Sequence, residues 1–283
     1  MNHSGTLYVV ATPIGNLQDI TLRALEILKS VDAVAAEDTR HTAGLLAHFA
    51  LQKKLIAVHD HNERKAAGQL LKRLQAGENI ALVTDAGTPG ISDPGAIVVD
   101  IVMDAGIKVV PIPGASAVIT ALSAAGITTP GFTFVGFLPA SRSQRRKALE
   151  ALKAQTTTLV FYEAPHRVIE CVVDMAAILG AERRVTIARE LTKTFETFHR
   201  CLLGEAVTFL QGDPNQQRGE FVILVEAASV KEAGPISEES MRVLKVLLAE
   251  IPLKQAVKLA TEITGAKKNA LYEFALRLQS EKS

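Results

Sequence analysis

The run Thr84–Gly95, TDAGTPGISDPG, gathers the residue types of a ligand-holding loop. Three glycines and two prolines fall within the eleven residues Asp85–Gly95. Glycine lets the backbone come close to a bound molecule, and proline holds the loop in one shape. Asp85, Thr88, Ser92 and Asp93 supply polar contacts. The plainer alternative is an ordinary turn, but its place after a β-branched run favours a ligand wall.

Four other stretches carry chemistry-bearing groups. In Glu37–Thr42, EDTRHT, Arg40 and His41 stand among hydroxyls where a helix begins, a place that suits an anion such as a phosphate. The same residues also read as a helix cap by Asp38 or Thr39, and the two readings are compatible. His59–Glu63, HDHNE, places imidazoles and carboxylates together. Alternate positions in one loop do not fix a coordination shell, so His59 and His61 read as polar substrate contacts and no metal is expected. Ser141–Lys147, SRSQRRK, has four cations in seven residues, enough to grip a phosphate without reading a base. Tyr162, Glu163 and His166 follow one strand, and Ala188–Glu196, ARELTKTFE, follows another. The bland reading of Glu190 and Lys193 is a surface ion pair.

Several familiar chemistries are absent. After the first strand stand Thr12–Asn16, TPIGN, in place of GxGxxG, and no GxxxxGK[ST] occurs. Gly114, Ala115 and Ser116 resemble the start of a nucleophile elbow, yet Val118 stands where its last glycine belongs, which leaves hydrolysis a minor alternative.

Elements that could position these groups follow from periodicity. Strands are expected near Leu7–Ala11, Ala33–Ala36, Leu55–Val58, Ile80–Thr84 and Val109–Ile112, with helices between, as a parallel sheet requires. The loops after them then share the edge where open α/β sheets bind ligands. Further strands near Phe132–Gly136, Thr158–Tyr162, Arg184–Arg189 and Glu220–Glu226 read as a second, mixed sheet. The basic Ser141–Lys147 reads as a loop between a strand and a helix. The division expected is residues 1–114, 115–228 and a helical tail 236–283, joined by the linker AASVKEAGPISEE. In the tail, Ser237–Glu250, Leu253–Thr264 and Lys267–Leu278 have helical period, and the last two fit a helix-turn-helix. From Lys231 onward it holds nine Lys/Arg against seven Glu, a weak electrostatic case for nucleic acid, so helical packing or dimerisation competes with RNA contact.

The net charge of +1 over 283 residues means that any polyanion must be met by local patches. Cys171 and Cys201 lack CxxC spacing and suit a reducing compartment, which makes the expected location cytoplasmic. No basic leader precedes the first apolar stretch, and no run approaches a membrane span.

Together TPIGN, AEDTRHT, HDHNE, DAGTPGISDPG, PGASA, FYE, ARELTKTFE and GEFVILVE resemble the tetrapyrrole-methylase-like superfamily, and within it the ribosomal RNA small-subunit methyltransferase I family. The resemblance spans nearly the whole chain, through AKKNALYEFAL in the tail. It implies two α/β domains of the class III methyltransferase type plus a C-terminal helical extension. S-adenosyl-L-methionine would be the cofactor, held between the domains by Pro13, Gly87, Thr88, Ile91, Ser92, Ser116, Ala117, Phe161 or Tyr162, and Ala188. One departure bears on substrate: porphyrin-modifying members have Gly-Asp-Pro where Gly87, Thr88 and Pro89 stand here, which points to the RNA branch. The implied reaction is 2'-O-methylation of a cytidine ribose in the decoding region of 16S ribosomal RNA. Lys193, Glu163 and Arg40 are the catalytic candidates, as base or as a cation stabilising the alkoxide. Arg40, His41, His59, His61, Arg142, Arg145 and Arg146 are candidate RNA contacts. The expected partner is the assembled small ribosomal subunit, and the chain is expected to form a homodimer. A small-molecule methyltransferase of the same fold and a non-catalytic RNA-binding protein are the alternatives.

Overall fold

The structure, a computed structural model, describes residues 4–228 and 236–280. Met1–Ala227 forms one compact unit and Ala228–Ser283 another. Residues 229–235, most of the expected linker, lie outside the described residues.

In the first unit, β1 (Thr6–Val10), β2 (Ala33–Ala36), β3 (Lys54–Ala57), β4 (Ile80–Val83) and β5 (Lys108–Ile112) form a sheet in the order β3-β2-β4-β1-β5. Every pair is parallel. All residues of β2 and β4 are buried, as central strands covered on both faces must be. One face is covered by α1 (Leu22–Ser30) and α2 (Thr39–His48), through Leu28 and Leu46. The other is covered by α3 (Glu63–Gln75) and α4 (Ala96–Asp104), through Leu70, Leu74, Val98 and Val102. Each such side chain taken fully out of water contributes roughly 1.5–3 kcal/mol.

After α5 (Ala117–Ala124) comes the second sheet: β6 (Phe132–Phe137), α6 (Arg142–Leu152), β7 (Thr158–Glu163), α7 (Val168–Leu179), β8 (Arg184–Arg189), β9 (Thr197–Leu202), α8 (Leu203–Gly212) and β10 (Phe221–Val225). The strand order is β6-β7-β10-β8-β9. Only β6 and β7 run parallel, and the other pairs are antiparallel. β9 was not expected from sequence: TFHRCL is an edge strand with mixed polar and apolar residues, paired with β8 alone. The basic Ser141–Lys147 is not a loop; its residues from Arg142 onward form the first turns of α6.

Val118 and Ala121 from α5 and Ala125 at its C-terminal cap pack with Val160, Ala188, Val222 and Leu224 of the second sheet and with Ile14 from the loop after β1. This shared apolar layer makes the two sheets one compact unit, although the chain's own pattern suggests a division near Gly114.

The second unit contains α9 (Glu238–Glu250), α10 (Leu253–Thr264) and α11 (Lys268–Ser280) around Leu244, Val257, Leu271 and Ala275. Ser237 caps α9 through Ser240 N, and left-handed Gly265 ends α10.

Candidate functional site

Parallel strands bring the loops after β1, β2, β3, β4 and β5 to one edge of the first sheet, and short hydrogen bonds lock them together. Thr12 and Gly87 exchange backbone bonds of 2.8 and 3.1 Å, and Thr12 Oγ1 donates to the Thr84 carbonyl at 3.1 Å. Thr84 Oγ1 donates to Glu37 Oε2 at 2.7 Å, and Asp85 Oδ1 accepts from Asp38 N at 3.0 Å. Buried Glu63, the last residue of HDHNE, accepts from Gly95 N at 2.7 Å and Ile97 N at 3.0 Å. It caps α4, so its carboxylate is committed to fixing the Asp85–Gly95 loop.

A cavity of about 350 Å³ opens between that loop and the second sheet. Ile14, Gly87, Thr88 and Ile91 form one wall, Ser116 and Ala117 another, and Phe137, Tyr162, Leu191 and Val222 the third. Phe134 and Phe137 meet Tyr162 edge to face, with ring centroids 5.1 and 5.6 Å away. Burial pushes the Tyr162 hydroxyl up to about 12, which keeps it a neutral donor. Asp93 lines the same cavity; burial and the charges of Glu37, Asp85 and Asp60 raise it to about 6 against the pull of a Thr84 hydrogen bond.

A second cavity, of about 470 Å³, adjoins the first. Its lining includes Thr12, Pro13, Gly15, Arg40, His41, Asp85 and Lys193, and it shares Ile14, Ala86 and Glu220 with its neighbour. Asp38 caps α2 by accepting from Arg40 N at 2.8 Å and also pairs with the Arg40 guanidinium at 2.8 Å. That pairing holds the Asp38 carboxyl well below the usual range. The Arg40 side chain is 90% exposed, so it keeps donors turned to solvent. Lys193 Nζ donates to Glu190 Oε1 at 2.8 Å and Glu220 Oε2 at 2.9 Å. Burial favours a neutral amine at Lys193, but these two carboxylates outweigh it and raise the pKa above the ordinary lysine value. Lys193 is therefore an ammonium that donates, not a base.

Two glycines make this arrangement possible. A Cβ on Gly15 would lie 2.5 Å from Lys193 Cγ, so only glycine in TPIGN lets the lysine stem pass. At Gly219, with φ +89°, a Cβ would lie 2.4 Å from Glu190 Cγ. Glu190 itself has φ 51° and Thr192 φ 66°, a strained loop tied down by Glu190 N to Glu220 O at 3.0 Å and Glu220 N to Glu190 Oε1 at 3.0 Å.

Of the residues expected to hold the cofactor, Gly87, Thr88, Ile91, Ser116, Ala117 and Tyr162 line the first cavity. Pro13 lines the second instead. Ser92 is exposed and borders neither, and Ala188 is fully buried in the apolar layer between the sheets. Phe161, the alternative to Tyr162, faces the α7 side of its strand. Glu163 lines the first cavity, but its carboxylate is turned to α7. It is fully buried, bonded to Ala164 N at 2.9 Å and 3.4 Å from Arg167 Nε, and the neighbouring Cys171 thiol is raised by burial and by this charge. Strand alternation places Tyr162 and Glu163 on opposite faces, which removes Glu163 from the catalytic candidates.

Arg145 is likewise no RNA contact. It is 1% exposed and bonded to Asp174 at 2.9 Å, inside the α6–α7 contact. Arg146 at 3.0 Å and Arg142 at 3.5 Å reach the same carboxylate from outside, 43% and 71% exposed. Burial would raise Asp174, but the bonds from Arg145 and Arg146 prevail and hold it below the usual range. His61 is exposed, while His59 is half-buried; their rings are 6.0 Å apart and neither lines either of the two cavities described above. Among the described residues no group of three or more His, Cys, Asp or Glu is arranged to hold a metal. Sequence reading missed Glu220 and Phe137 as wall residues and left Asp93 without a role.

Comparison with known proteins adds independent findings. The family model described as Tetrapyrrole (Corrin/Porphyrin) Methylases matches residues 6–207, and one described as the RsmI C-terminal HTH domain matches residues 234–279. The chain is 52% identical over 278 residues to "Ribosomal RNA small subunit methyltransferase I" of Escherichia coli O157:H7, covering 98% of this chain and 97% of that one. A protein of the same name from Pseudomonas aeruginosa is 52% identical, with 98% and 99% covered, and one from Vibrio cholerae is 50% identical, with 97% and 96% covered. Among solved structures, the methyltransferase CobJ superposes with a TM-score of 0.61 at 18% identity over 80% of this chain and 95% of its own. Uroporphyrin-III C-methyltransferase from Thermus thermophilus, complexed with S-adenosyl homocysteine, gives 0.55 at 19% identity, with 78% and 97% covered. These structural likenesses speak to the fold alone.

Proposed function

The chain belongs to the ribosomal RNA small subunit methyltransferase I family, within the tetrapyrrole methylases, and we propose that it transfers a methyl group from S-adenosyl-L-methionine to the ribose 2'-hydroxyl of a cytidine in the decoding region of 16S ribosomal RNA. The observation that carries this reading is the pair of adjoining cavities, one mainly apolar and one edged by cations, which meet at Ile14, Ala86 and Glu220. The first cavity has the size of a small-molecule site and combines apolar walls with exposed loop backbone and the carboxylate of Asp93, a chemistry that fits a cationic nucleoside. The second offers the Arg40 and Lys193 cations to a phosphodiester and a ribose.

When bound, the sulfonium supplies a methyl group with its leaving group already attached. What remains for the protein is alignment, exclusion of water and proton handling. Gly87, Thr88, Ile91 and Tyr162 wall the donor, and Leu191, Phe137 and Val222 keep water from it. Arg40 and His41, at the start of α2, meet backbone phosphate. Lys193, fixed as an ammonium by Glu190 and Glu220, stabilises negative charge developing on the ribose oxygen.

Exposed Arg142 and Arg146 at the outer end of α6 extend the phosphate contact, and His59 and His61 offer further polar contact from the loop after β3. The tail, matched by the helix-turn-helix model, contributes further RNA contact. The substrate is the assembled small subunit, met in the cytoplasm by a homodimer. No helix among the described residues is long and apolar enough to cross a membrane.

The test uses small subunits from cells lacking the protein, purified enzyme and methyl-labelled donor. Label in a ribose that resists alkaline cleavage is expected. Donor binding by calorimetry with no label in any RNA would favour a small-molecule methyltransferase, and RNA binding without donor binding a non-catalytic module.

A further inference from the structure

The proposed transfer requires a proton acceptor for the ribose hydroxyl, and the residues first suited to that task fail. Lys193 is held as an ammonium, Arg40 is a guanidinium, and the Glu163 carboxylate is buried against α7. Asp85 lines only the second cavity, with Oδ1 bonded to the Asp38 amide, and Asp93 lines only the first. The methyl must pass from one cavity to the other, so the reacting atoms meet where the cavities join. Of the three residues common to both, Ile14, Ala86 and Glu220, only Glu220 ionises.

We propose that Glu220 accepts the 2'-hydroxyl proton, with Lys193 holding the carboxylate in place and stabilising the oxygen it deprotonates. This rests on the methyltransferase reading above. Lys193 Nζ lies 2.9 Å from one carboxylate oxygen, Oε2, which leaves Oε1 to face a hydroxyl. The Glu220 backbone is fixed from both sides by Glu190, at 3.0 Å in each direction. Its side chain is 73% exposed, so the captured proton passes to water after each turnover. In the step itself the 2'-oxygen forms a bond to the methyl carbon as the sulfur–carbon bond breaks. The pair of that bond stays on sulfur, which becomes a neutral thioether, and the hydroxyl proton moves to Glu220.

The position escapes sequence reading because Glu220 precedes a strand. β10 runs antiparallel to both β7 and β8, so its beginning lies beside their ends, with Phe221 opposite Glu163 and Arg189.

Two variants test the assignment with small subunits as substrate. Glu220→Gln keeps the shape and an acceptor for Lys193 but removes the basicity; kcat is expected to fall about 10²-fold or more, with KM for subunits and calorimetric donor affinity unchanged. Glu220→Asp keeps a carboxylate and is expected to retain more kcat than the glutamine variant. Near wild-type kcat in Glu220→Gln overturns the proposal. So do equal losses in both variants, which mark a structural ion pair, and a loss that appears in donor affinity. A wild-type enzyme that binds donor yet labels no RNA fails the methyltransferase reading itself, a result distinct from these.

Discussion

The two sheets of the first unit contribute to the cleft in different ways, and strand direction is the reason. In the parallel first sheet every strand ends at the same edge, so five successive loops converge and hydrogen-bond to one another. That edge supplies walls: glycines, prolines, short hydroxyls and carboxylates occupied in fixing loops. In the mixed second sheet, β7 and β8 end at the cleft while β10 begins there. Beside the apolar wall of Phe137, Leu191 and Val222, it contributes Tyr162, Lys193 and Glu220, polar groups drawn from distant parts of the chain. A parallel sheet thus builds a continuous binding wall, and an antiparallel join brings oppositely charged side chains face to face.

If the second sheet carries the reaction and the first carries the donor, changes in the two should separate cleanly. Lys193→Ala should lower kcat by about 10²–10³-fold, the cost of losing one preorganised donor at a developing charge, while calorimetric donor affinity stays unchanged. A loss in donor affinity there would break the division. Asp93, on the first sheet's side, has a pKa raised to about 6, so the folded protein holds its proton more tightly than the unfolded chain does. Ionisation therefore costs stability above that pH, and the cost disappears as the pH falls below the ordinary carboxylate range. Asp93→Asn should raise stability by roughly 1–3 kcal/mol at about pH 8 and by little at about pH 4, measured by denaturant unfolding. The smallest effect is expected at Thr88, whose hydroxyl donates to the Ala115 carbonyl at 3.2 Å and ties two donor-side loops together. Thr88→Val should weaken donor binding by about 1 kcal/mol and leave kcat at saturating donor intact.

The same difference decides what the chain discloses in advance. Ala33–Ala36, Ile80–Thr84 and the loops after them are readable because a parallel sheet buried on both faces produces short apolar runs, each followed by its functional loop. Reading by strand ends alone points to Gly87, Thr88 and Ile91, which line the first cavity, and passes over Glu220, which lines both. β9 stayed hidden because an edge strand paired on one side tolerates Arg200 and His199 among its residues. Ser141–Lys147 misled for another reason: its cations suggest a loop in solvent, yet Arg145 turns inward to a buried Asp174 that only the packed α6–α7 pair reveals. Glu163 shows the limit of reading by neighbourhood, since one step along a strand reverses the face.

The carboxylates gathered behind the donor wall bear on turnover. Asp93 lines the first cavity, crowded by the charges of Glu37, Asp85 and Asp60; under the proposed function it would gain a counter-ion when a sulfonium enters and lose it once the methyl has left and the sulfur is neutral. On the proposed reading, the field of these carboxylates favours the charged cofactor over the spent one.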